Sequence, residues 1–352
     1  MNPANSDRPS TPDRVAVCLA SDAGYAFPSA VVAESIVRME GSRLGPVYYA
    51  WADDDAPPGE LVSYLSQAGV RLVRVPEALL RPHAGASAGR LPRGCLARLF
   101  LSQTLESEAI GRFLYLDSDI EVRGSLDRLA AIPLPAGQIA AADDVRGVVF
   151  EKAHMTDQLR AERRRLGMPD SAAYFNTGVM LADMNEWAGI SVEAVKFYVS
   201  DPAACIFLDQ CAINAVCHDR RLVLSPRWNF QSPYFSLGLE EQVRPSILHF
   251  TGPHKPWAPV PFTPTWTARR PFFAARGRMP LLWKHTRRHA LPRSYYTKAL
   301  KLTYRTPASR ASRRREVFDY LARMKFGDMP ESSGATLPAG SGRNSIRYDP
   351  PR

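Results

Sequence analysis

The sequence predicts an α/β protein whose central sheet is mostly parallel and covered by helices on its faces. Three observations support this fold class. Short apolar runs of strand character alternate along the chain with segments of helical period. The 352 residues, 45% of them hydrophobic, suffice for one large α/β domain or two modest ones. An apolar run over residues 113–116 ends abruptly at acidic residues, and ligands bind at the carboxyl edge of such sheets.

The N-terminal part of the chain contains three predicted strands and two predicted helices. Residues 15–19 form a short apolar run that is typical of a buried strand. Apolar residues at helical spacing follow over residues 28–40. Strands are predicted over residues 46–51 and 70–75, with a helix over residues 59–67 between them. This order is typical of parallel strands joined by helical crossovers.

The central part of the chain continues the same alternation of strands and helices. The predicted elements are, in order, a helix over 95–101, strands over 113–116 and 138–142, a helix over 151–166, a strand over 175–184, a helix over 209–216 and a short apolar run over 247–250. Acidic or amide residues stand at the ends of several of these elements. We therefore expect polar side chains to gather at one edge of the sheet.

The two ends of the chain differ in composition from its centre. Residues 1–13 are polar, lack the apolar core of a secretory signal and are predicted to be a disordered lead. We expect one α/β domain over residues 14–267 and a basic, aromatic segment over residues 268–327. Residues 328–352 are rich in Gly, Ser and Pro and are predicted to be a disordered tail.

The positive charge of the chain is concentrated near its C-terminus. The formal net charge is +10, yet residues 268–315 contain fifteen Lys and Arg and no Asp or Glu. The rest of the chain therefore carries more acidic than basic residues, 35 against 30. Bulky apolar residues lie between these basic ones, a pattern that favours contact with an anionic membrane surface. Nucleic-acid binding is a less favoured alternative, and a solvated basic tail is the other.

The cysteines and the hydropathy bear on the cellular compartment. The five cysteines are odd in number and contain no Cys-x-x-Cys pair, which favours reduced thiols over disulfides or a zinc site. No window approaches the roughly 18 consecutive apolar residues of a membrane span. The sequence therefore predicts a cytoplasmic protein, associated at most peripherally with the inner face of the cell membrane.

Asp117 and Asp119 follow the predicted strand over residues 113–116. In an extended chain, residues two apart project to the same side, so the two carboxylates would lie together. Paired carboxylates repel each other unless a cation neutralises them, and a divalent ion is a suitable partner. Such an ion could bind a diphosphate. The alternative is a solvated turn at the end of a strand.

A second group of candidate residues lies near residue 250. His249 could serve as a ligand for an ion of the Mn²⁺ class, or could be a hydrogen-bonded core histidine. Gly252 allows a close backbone approach, and Lys255 places a cation a few residues later. A metal ligand beside such a lysine suits a diphosphate leaving group, whose charges both need neutralising. The alternative for Lys255 is a solvated surface lysine.

Three further positions each have a functional and a structural interpretation. Asn176 precedes a strand-forming run and could hydrogen-bond a sugar hydroxyl or form a strand-end turn. Asp209 and Gln210 open a predicted helix, where Asp209 could be an N-cap or both side chains could enter a cleft. Arg98 could contact a phosphate or a sugar, or could extend its charged end to the surface.

The order of these motifs resembles glycosyltransferase family 8, whose members are retaining, metal-dependent sugar-nucleotide transferases. The motifs are residues 20–25 (ASDAGY), 95–99 (CLARL), 116–119 (LDSD), 175–179 (FNTGV), 208–210 (LDQ) and 249–257 (HFTGPHKPW). The acidic pair alone is common among transferases, but its combination with the asparagine and histidine motifs is specific. The resemblance extends from Val15 to about Trp257.

The resemblance implies the GT-A fold, a single Rossmann-like domain with the nucleotide bound by its N-terminal half. Asp22 and the backbone near Ala20 would hold the uracil, and Tyr25 would lie against the base. Asp117, Asp119 and His249 would bind the metal, and Lys255 and the Gly252 backbone would bind the phosphates. Ser118 would also contact the cofactor. Donor-sugar contacts would come from Arg98, Asp144, Asn176 and Gln210 with Asp209 beside them, and the expected catalytic residues are Gln210, Asp209 and Asp144.

By the same resemblance, the protein would transfer glucose or galactose from UDP-glucose or UDP-galactose with Mn²⁺ or Mg²⁺. The acceptor would be a saccharide or a lipid-linked glycan, as in lipopolysaccharide biosynthesis. Gln210 is an amide and too poor a nucleophile for a covalent intermediate. We therefore expect the acceptor to attack the face from which UDP departs, with a phosphate oxygen taking its proton.

Two departures from the family pattern motivate an alternative function. Gly24 stands where the family usually has a second polar residue, and Cys211 stands where a further aspartate is common. A catalytically silent GT-A protein that docks on membranes through its basic segment is therefore the competing hypothesis. A nucleotidyltransferase is disfavoured, because residues 20–25 offer no Gly- and Arg-rich loop after the first strand.

Overall fold

The computed structural model describes residues 14–39, 43–80, 93–148, 156–252, 255–257, 266–286 and 307–323. The predicted lead over residues 1–13 and tail over residues 328–352 lie outside the described residues. The described strands are β1 Val15–Ser21, β2 Leu44–Trp51, β3 Arg71–Arg74, β4 Arg112–Leu116, β5 Ile120–Val122, β6 Ile139–Asp143, β7 Phe175–Asp183, β8 Arg221–Val223, β9 Phe230–Gln231 and β10 Ile247–His249.

The helices lie between these strands and beyond them. They are α1 Ala26–Val37, α2 Gly59–Gln67, α3 Glu77–Leu80, α4 Arg93–Ala97, α5 Leu101–Thr104, α6 Asp127–Ala130, α7 Thr156–Arg165, α8 Met184–Ser200, α9 Asp209–Cys217, α10 Ser232–Ser236, α11 Glu240–Val243, α12 Trp266–Ala275, α13 Pro280–His285 and α14 Pro307–Arg323. The helix predicted over residues 95–101 is divided into α4, a 3₁₀ turn at Arg98–Phe100 and α5. Within the part of the chain that is described, no helix is long and apolar enough to cross a membrane.

Seven strands form the central sheet in the order β3-β2-β1-β4-β7-β6-β8. Neighbouring strands are parallel except where β7 pairs with β4 and with β6, both of them antiparallel. The prediction of an α/β fold with a mostly parallel sheet is confirmed. The reversal at β7 brings its first residues to the edge at which β4 and β6 end.

The core forms two layers, one on each face of the central sheet. Alternate side chains of β1 enter opposite layers: Val17 and Leu19 pack with α1, whereas Cys18 and Ala20 pack with α4 and α8. Because helices cover both faces, every residue of β1 is buried. This explains why the strand appears in the sequence as an uninterrupted apolar run rather than as an alternating one.

A smaller sheet, in the order β5-β10-β9, lies beside the end of β4. β10 is antiparallel to β5, and their register pairs His249 with Ile120. The backbone N–H of Phe250 also donates to the carbonyl of Asp119 at 2.8 Å. This pairing connects a segment near residue 249 to the acidic segment more than a hundred residues earlier.

The described C-terminal helices pack against the rest of the protein. Phe272 of α12, Met279 just before α13 and Leu282 of α13 are buried in the same layer as α1. The Arg278 guanidinium donates to Glu34 of α1 at 2.6 and 2.9 Å. The predicted boundary at residue 267 therefore falls inside α12, and part of the basic segment belongs to the core.

Candidate active site

The candidate site lies at the edge of the central sheet where β4 and β6 end and β7 begins. The register pairs Leu116 with Val179 and Asp143 with Phe175. The residues that follow β4 and β6 therefore lie next to the first residues of β7. The sheet topology thus gathers Asp117, Asp144 and Asn176 from three distant parts of the sequence, as expected for the ligand-binding edge of an α/β sheet.

Asp117, Asp119 and His249 form one cluster. Their candidate ligand atoms all lie within 4.8 Å of one another. His249 Nε2 is 3.2 Å from Asp119 Oδ1 and 3.6 Å from Asp117 Oδ2. Carboxylate oxygens with an imidazole nitrogen are a donor set that suits Mn²⁺. The structure therefore brings the three predicted metal ligands together.

Two backbone N–H groups orient the amides of Asn176 and Gln210. The Gly178 N–H donates to Asn176 Oδ1 at 3.0 Å, and the Thr177 N–H donates to Gln210 Oε1 at 3.2 Å. Since a backbone N–H can only donate, both side-chain oxygens are fixed as acceptors. Asn176 Nδ2 then donates to Gln210 Oε1 at 3.2 Å, consistent with both assignments.

The same reasoning assigns the tautomer of His249. Asn229 Nδ2 donates to Asn176 Oδ1 at 2.8 Å, so Asn229 presents its oxygen on the other side. That oxygen is 2.9 Å from His249 Nδ1, which must therefore carry the proton. Whenever the ring is neutral, its lone pair is therefore on Nε2, the nitrogen that faces the two carboxylates. A hydrogen-bonded distal nitrogen is the usual support of a metal-binding histidine.

Gly178 provides the space that this cluster needs. A Cβ built on Gly178 would overlap His249 Cε1 and would lie 2.5 Å from Asp117 Oδ2. The backbone of β7 therefore passes directly against two of the three predicted metal ligands. Glycine is needed at this position because the backbone comes close to these side chains, and not because of an unusual backbone angle.

Lys255 contacts Asp119 Oδ2, whereas His249 Nε2 is close to the other oxygen of that carboxylate. The Lys255 ammonium is ion-paired with Asp119 and donates to the Phe250 carbonyl at 2.8 Å. Burial alone would raise the pKa of Asp119, but the charges and hydrogen bonds of Lys255 and His249 bring that pKa below its ordinary value. The buried position of Lys255 does not fit the alternative of a solvated surface lysine.

Arg98 is buried and connects two acidic residues. Its Nε is 2.6 Å from Asp209 Oδ2, and its Nη2 is 3.3 Å from Asp117 Oδ1. It also donates to the Thr177 carbonyl at 2.9 Å and lies over the Tyr115 ring. The alternative of a surface arginine is therefore wrong. Arg98 instead contacts the Oδ1 atom of Asp117 from inside the protein.

Asp209 is the first residue of α9 and is 2% exposed. The N-cap position belongs to Leu208, so the N-cap interpretation of Asp209 is wrong. Burial raises the pKa of Asp209 to about 6, although the charge of Arg98 opposes that shift. Its carboxylate therefore faces Arg98 inside the protein.

Asp144 extends the hydrogen-bonded network beyond Gln210. Gln210 Nε2 donates to Asp144 Oδ2 at 3.2 Å, and the other carboxylate oxygen accepts from Arg146 Nε at 3.0 Å. Arg146 in turn pairs with Glu162 at 3.1 Å. Asn176, Gln210 and Asp144 are thus linked by hydrogen bonds through the Gln210 amide.

Four members of this site were missed from the sequence. They are Asn229, Thr177, Arg146 and Glu162. Thr177 lies within the 175–179 motif, but the other three lie in none of the motifs. The partners of all four lie at least 16 residues away, except for Asp144, which is two residues from Arg146. The asparagine at 229 follows a buried tryptophan in a short 3₁₀ turn, a context that gives no indication of a role beside a histidine.

The residues predicted to hold the nucleotide lie at the end of β1. Ala20 and Asp22 are buried, and Asp22 Oδ1 caps a 3₁₀ turn by accepting from the Gly24 N–H at 3.0 Å. The Tyr25 ring lies edge-on to Trp257, with ring centroids 6.0 Å apart. The polar edge thus continues from the metal cluster toward β1.

Two other predicted contacts border the metal cluster. The Ser118 hydroxyl lies between the two predicted carboxylate ligands in sequence and accepts from Ser29 Oγ at 2.5 Å. Gly252 has a φ of +81°, a backbone conformation that glycine adopts without strain. Its N–H and carbonyl are thereby placed in the turn between β10 and Lys255.

Cys211 points away from this site. The residue is buried, and its sulfur contacts the Tyr174 hydroxyl at 3.2 Å and accepts from the Phe207 N–H at 3.3 Å. The thiol therefore supports the loop that precedes α9. Cys211 departs from the family pattern, but its thiol is not among the side chains that surround the metal cluster.

Comparison with known proteins identifies the family. Residues 86–260 match the model of the family described as Glycosyl transferase family 8. The chain belongs to glycosyltransferase family 8. The matched residues include the predicted metal ligands and Asp144, Asn176, Asp209 and Gln210, so the resemblance inferred from the motifs is confirmed.

Curated relatives of this family 8 chain have low sequence identity to it. General stress protein A of Bacillus subtilis is 27% identical over 192 residues, covering 50% of this chain and 62% of the relative. Glycosyltransferase GlyF of Streptococcus pneumoniae is 25% identical, covering 69% and 57%. Lipopolysaccharide 1,2-glucosyltransferase of Escherichia coli is 27% identical, covering 47% and 49%. The chain thus spans between about half and two thirds of the length of these relatives.

Solved structures confirm the fold. The structure of the galactosyltransferase LgtC with donor and acceptor sugar analogs matches with a TM-score of 0.58 at 20% identity, covering 81% of this chain and all of that one. The apo structure of glycosyltransferase GlyE from Streptococcus pneumoniae matches with a TM-score of 0.51 at 21% identity, covering 83% and 64%. This family 8 chain therefore has the GT-A fold that was predicted.

Proposed function

We propose that the protein is a retaining hexosyltransferase that moves glucose or galactose from a UDP-sugar to a saccharide or lipid-linked glycan acceptor. The observation that carries the proposal is the cluster of Asp117, Asp119 and His249, in which Nε2 faces two carboxylates while Nδ1 is hydrogen-bonded to Asn229. In a family 8 chain, this cluster suits a Mn²⁺ or Mg²⁺ ion that would neutralise the diphosphate of the donor.

The protein's own residues account for the other requirements of the reaction. Lys255 is ion-paired with Asp119, and Gly252 stands three residues before it, so an ammonium and a backbone N–H are available to bind phosphate oxygens. Asn176, Gln210 and Asp144 offer adjacent amide and carboxylate groups for sugar hydroxyls. We assign Arg98 and Asp209 a positioning role, because the buried Arg98 contacts Asp117 and the buried Asp209 contacts Arg98.

The side chain of Gln210 bears on how the sugar could be transferred with retention of configuration at its anomeric carbon. The Gln210 amide is too poor a nucleophile to form a covalent intermediate. We propose that the bond between the anomeric carbon and the diphosphate oxygen breaks first. The acceptor oxygen then bonds to the same face of that carbon, and its proton passes to a diphosphate oxygen. Lys255 stabilises the charge that develops on the leaving group.

The names of the relatives favour the two donors proposed. One curated relative is a lipopolysaccharide 1,2-glucosyltransferase, and LgtC is a galactosyltransferase. Both activities transfer a hexose, which is consistent with the site described above. We extend this to a cytoplasmic enzyme that acts near the membrane, because exposed basic residues such as Arg270, Arg276 and Lys284 lie on α12 and α13.

The test is UDP release from UDP-glucose and UDP-galactose, measured with Mn²⁺ and again with a chelator. We expect release that the chelator abolishes and that Asp117→Asn lowers by about 100-fold or more. Asp219→Asn is the matched control, because Asp219 is exposed at the other end of α9. Release that is unaffected by the chelator would contradict the metal site. Binding of UDP-sugar without any release would instead favour the catalytically silent protein.

A further inference from the structure

A cavity of about 300 Å³ opens between the end of β6, the loop before β7 and the C-terminal helix α14. Its volume is at the lower limit of the roughly 300–1,000 Å³ that is typical of small-molecule sites. The side chains that define it are Asp143, Asp144, Arg163, Asp170, Tyr174, Glu316, Tyr320 and Arg323. Three of these belong to α14, a helix beyond the region that matches the family.

The wall formed by α14 is held in place by the core. Val317 and Leu321 are 1% and 0% exposed and pack into the apolar cluster around the small sheet. The Tyr320 hydroxyl donates to Asp143 Oδ2 at 2.5 Å, and Arg314 Nη2 donates to the Gly238 carbonyl at 3.1 Å. The buried Val317 and Leu321, together with the hydrogen bonds of Arg314 and Tyr320, therefore fix the position of α14 beside the cavity.

The cavity meets the candidate active site at Asp144. One oxygen of this buried carboxylate accepts from Gln210 Nε2 at 3.2 Å, and Asp144 also lines the cavity. A molecule in the cavity would therefore lie one side chain away from Gln210. A glycosyl acceptor must present its hydroxyl next to the donor sugar, and this cavity adjoins the place at which we assign that sugar.

The charges of the lining favour a neutral ligand. Four carboxylates and two guanidinium groups line the cavity. Arg221 and Arg146 lie behind it and pair with Asp143 and Asp144 at 2.6 and 3.0 Å. Arg146 also pairs with Glu162, and Asp170 pairs with Arg164. With all these partners included, acidic and basic groups balance, so the cavity favours neither a phosphate nor a cation. The lining offers both hydrogen-bond donors and hydrogen-bond acceptors, and it includes the Tyr174 and Tyr320 rings. This combination suits a neutral polyol.

We propose that this cavity binds the acceptor saccharide of the reaction and that α14 forms its specificity-determining wall. The inference rests on the proposed function. In that reaction, the bond between the anomeric carbon and the diphosphate oxygen breaks first; the hydroxyl oxygen of the bound saccharide then bonds to that carbon, and the hydroxyl proton passes to the diphosphate. Arg323 and Glu316 contact the part of the acceptor that lies away from the donor.

The test compares Arg323→Ala with Arg315→Ala in the full chain. Both arginines are exposed on α14, but only Arg323 lines the cavity. The probes are neutral 4-nitrophenyl glucopyranosides and galactopyranosides, with glucose 6-phosphate as the anionic comparison. Binding is followed by saturation-transfer NMR, and donor use by UDP release without acceptor. We expect Arg323→Ala to weaken glycoside binding by about tenfold or more, with UDP release unchanged and Arg315→Ala without effect on either.

A second variant fills the cavity instead of removing a contact. Ala173 lines the cavity and is exposed, so Ala173→Trp should block glycoside binding without disturbing the core. Absence of binding by every pyranoside, unchanged binding in both variants, or preferential binding of glucose 6-phosphate would each overturn the inference. Because binding is read without turnover, glycoside binding together with absent UDP release would refute the proposed function and leave the cavity assignment standing.

Discussion

At the scale of single residues, the property that matters most is which ring nitrogen of His249 carries the hydrogen-bonded proton. A series of hydrogen bonds begins at the Gly178 N–H, passes through Asn176 and Asn229, and ends at His249 Nδ1. Each step leaves the next group one possible orientation, so Nε2 is left as the acceptor facing the carboxylates. Asn229 is thus the residue that keeps His249 ready to bind a metal ion.

We therefore predict that Asn229→Ala weakens Mn²⁺ binding by about 10- to 100-fold, the effect usual for loss of a residue that orients a metal ligand. Mn²⁺ titrations followed by electron paramagnetic resonance, without any donor, measure the affinity directly. The exposed Asn185 at the start of α8 gives the control variant Asn185→Ala, for which no change is expected. An unaltered affinity in Asn229→Ala would show that the ring is oriented by other contacts.

Two glycines in different surroundings provide a matched pair of predictions. At Gly178, an added Cβ overlaps His249 and crowds Asp117, so Gly178→Ala should abolish Mn²⁺ binding and destabilise the fold. At Gly189, inside α8, an added Cβ meets no atom within 4 Å, so Gly189→Ala should stabilise the fold by about 0.5–1 kcal/mol. Chemical unfolding and Mn²⁺ titration of both variants check this. Normal Mn²⁺ binding by Gly178→Ala would refute the close approach of β7.

At the scale of secondary-structure elements, most strands and long helices were predictable, but their breaks and directions were not. The apolar runs over residues 15–19 and 113–116 correspond to β1 and β4 because both are buried on two faces. The interruption between α4 and α5 has no signal in a stretch whose spacing predicts one helix. The antiparallel direction of β7 is likewise decided by its pairing with β4 and β6.

The helices α12 and α13 act as part of the core, which gives a prediction at this scale. Leu282 is 5% exposed and its neighbour Leu281 is 63% exposed. We expect Leu282→Ala to lower the free energy of unfolding by about 2–5 kcal/mol, because it leaves a cavity. Leu281→Ala should change that free energy by less than about 0.5 kcal/mol. Equal effects in urea unfolding would mean that α13 is not docked against α1.

At the scale of the whole molecule, charge and chemistry are separated. The acidic and amide residues of the candidate site lie at the sheet edge with their own basic partners, whereas the excess positive charge of the chain lies in residues 268–315. Phe272 and Leu282 of that segment are buried, and Phe273 and Trp283 are half-buried. These aromatic and apolar residues are therefore largely used within the protein. A membrane contact would depend on the exposed basic side chains.

We predict that neutralising exposed basic residues of α12 and α13 releases the protein from anionic vesicles. The variant combines Arg270→Gln, Arg276→Gln and Lys284→Gln, and each lost charge should cost about 1 kcal/mol of binding. Sedimentation with vesicles of phosphatidylglycerol and phosphatidylcholine measures it. The control combines three exposed basic residues elsewhere, Arg160, Lys196 and Arg244, each changed to Gln. Equal release by both variants would point to non-specific charge attraction. Deleting residues 268–352 would be a poorer test, since it removes core residues.

The sequence by itself determined the fold class, the family and the acidic and histidine residues of the candidate metal site. These depend on local patterns: buried strands appear as apolar runs, and paired carboxylates follow one of them. The tertiary structure alone decided how β7 runs, that Asn229 orients His249, that Arg98 is buried between Asp117 and Asp209, and that α14 walls a cavity at Asp144. Each of these is a contact between residues far apart in the chain, and no local spacing specifies which distant side chains will meet.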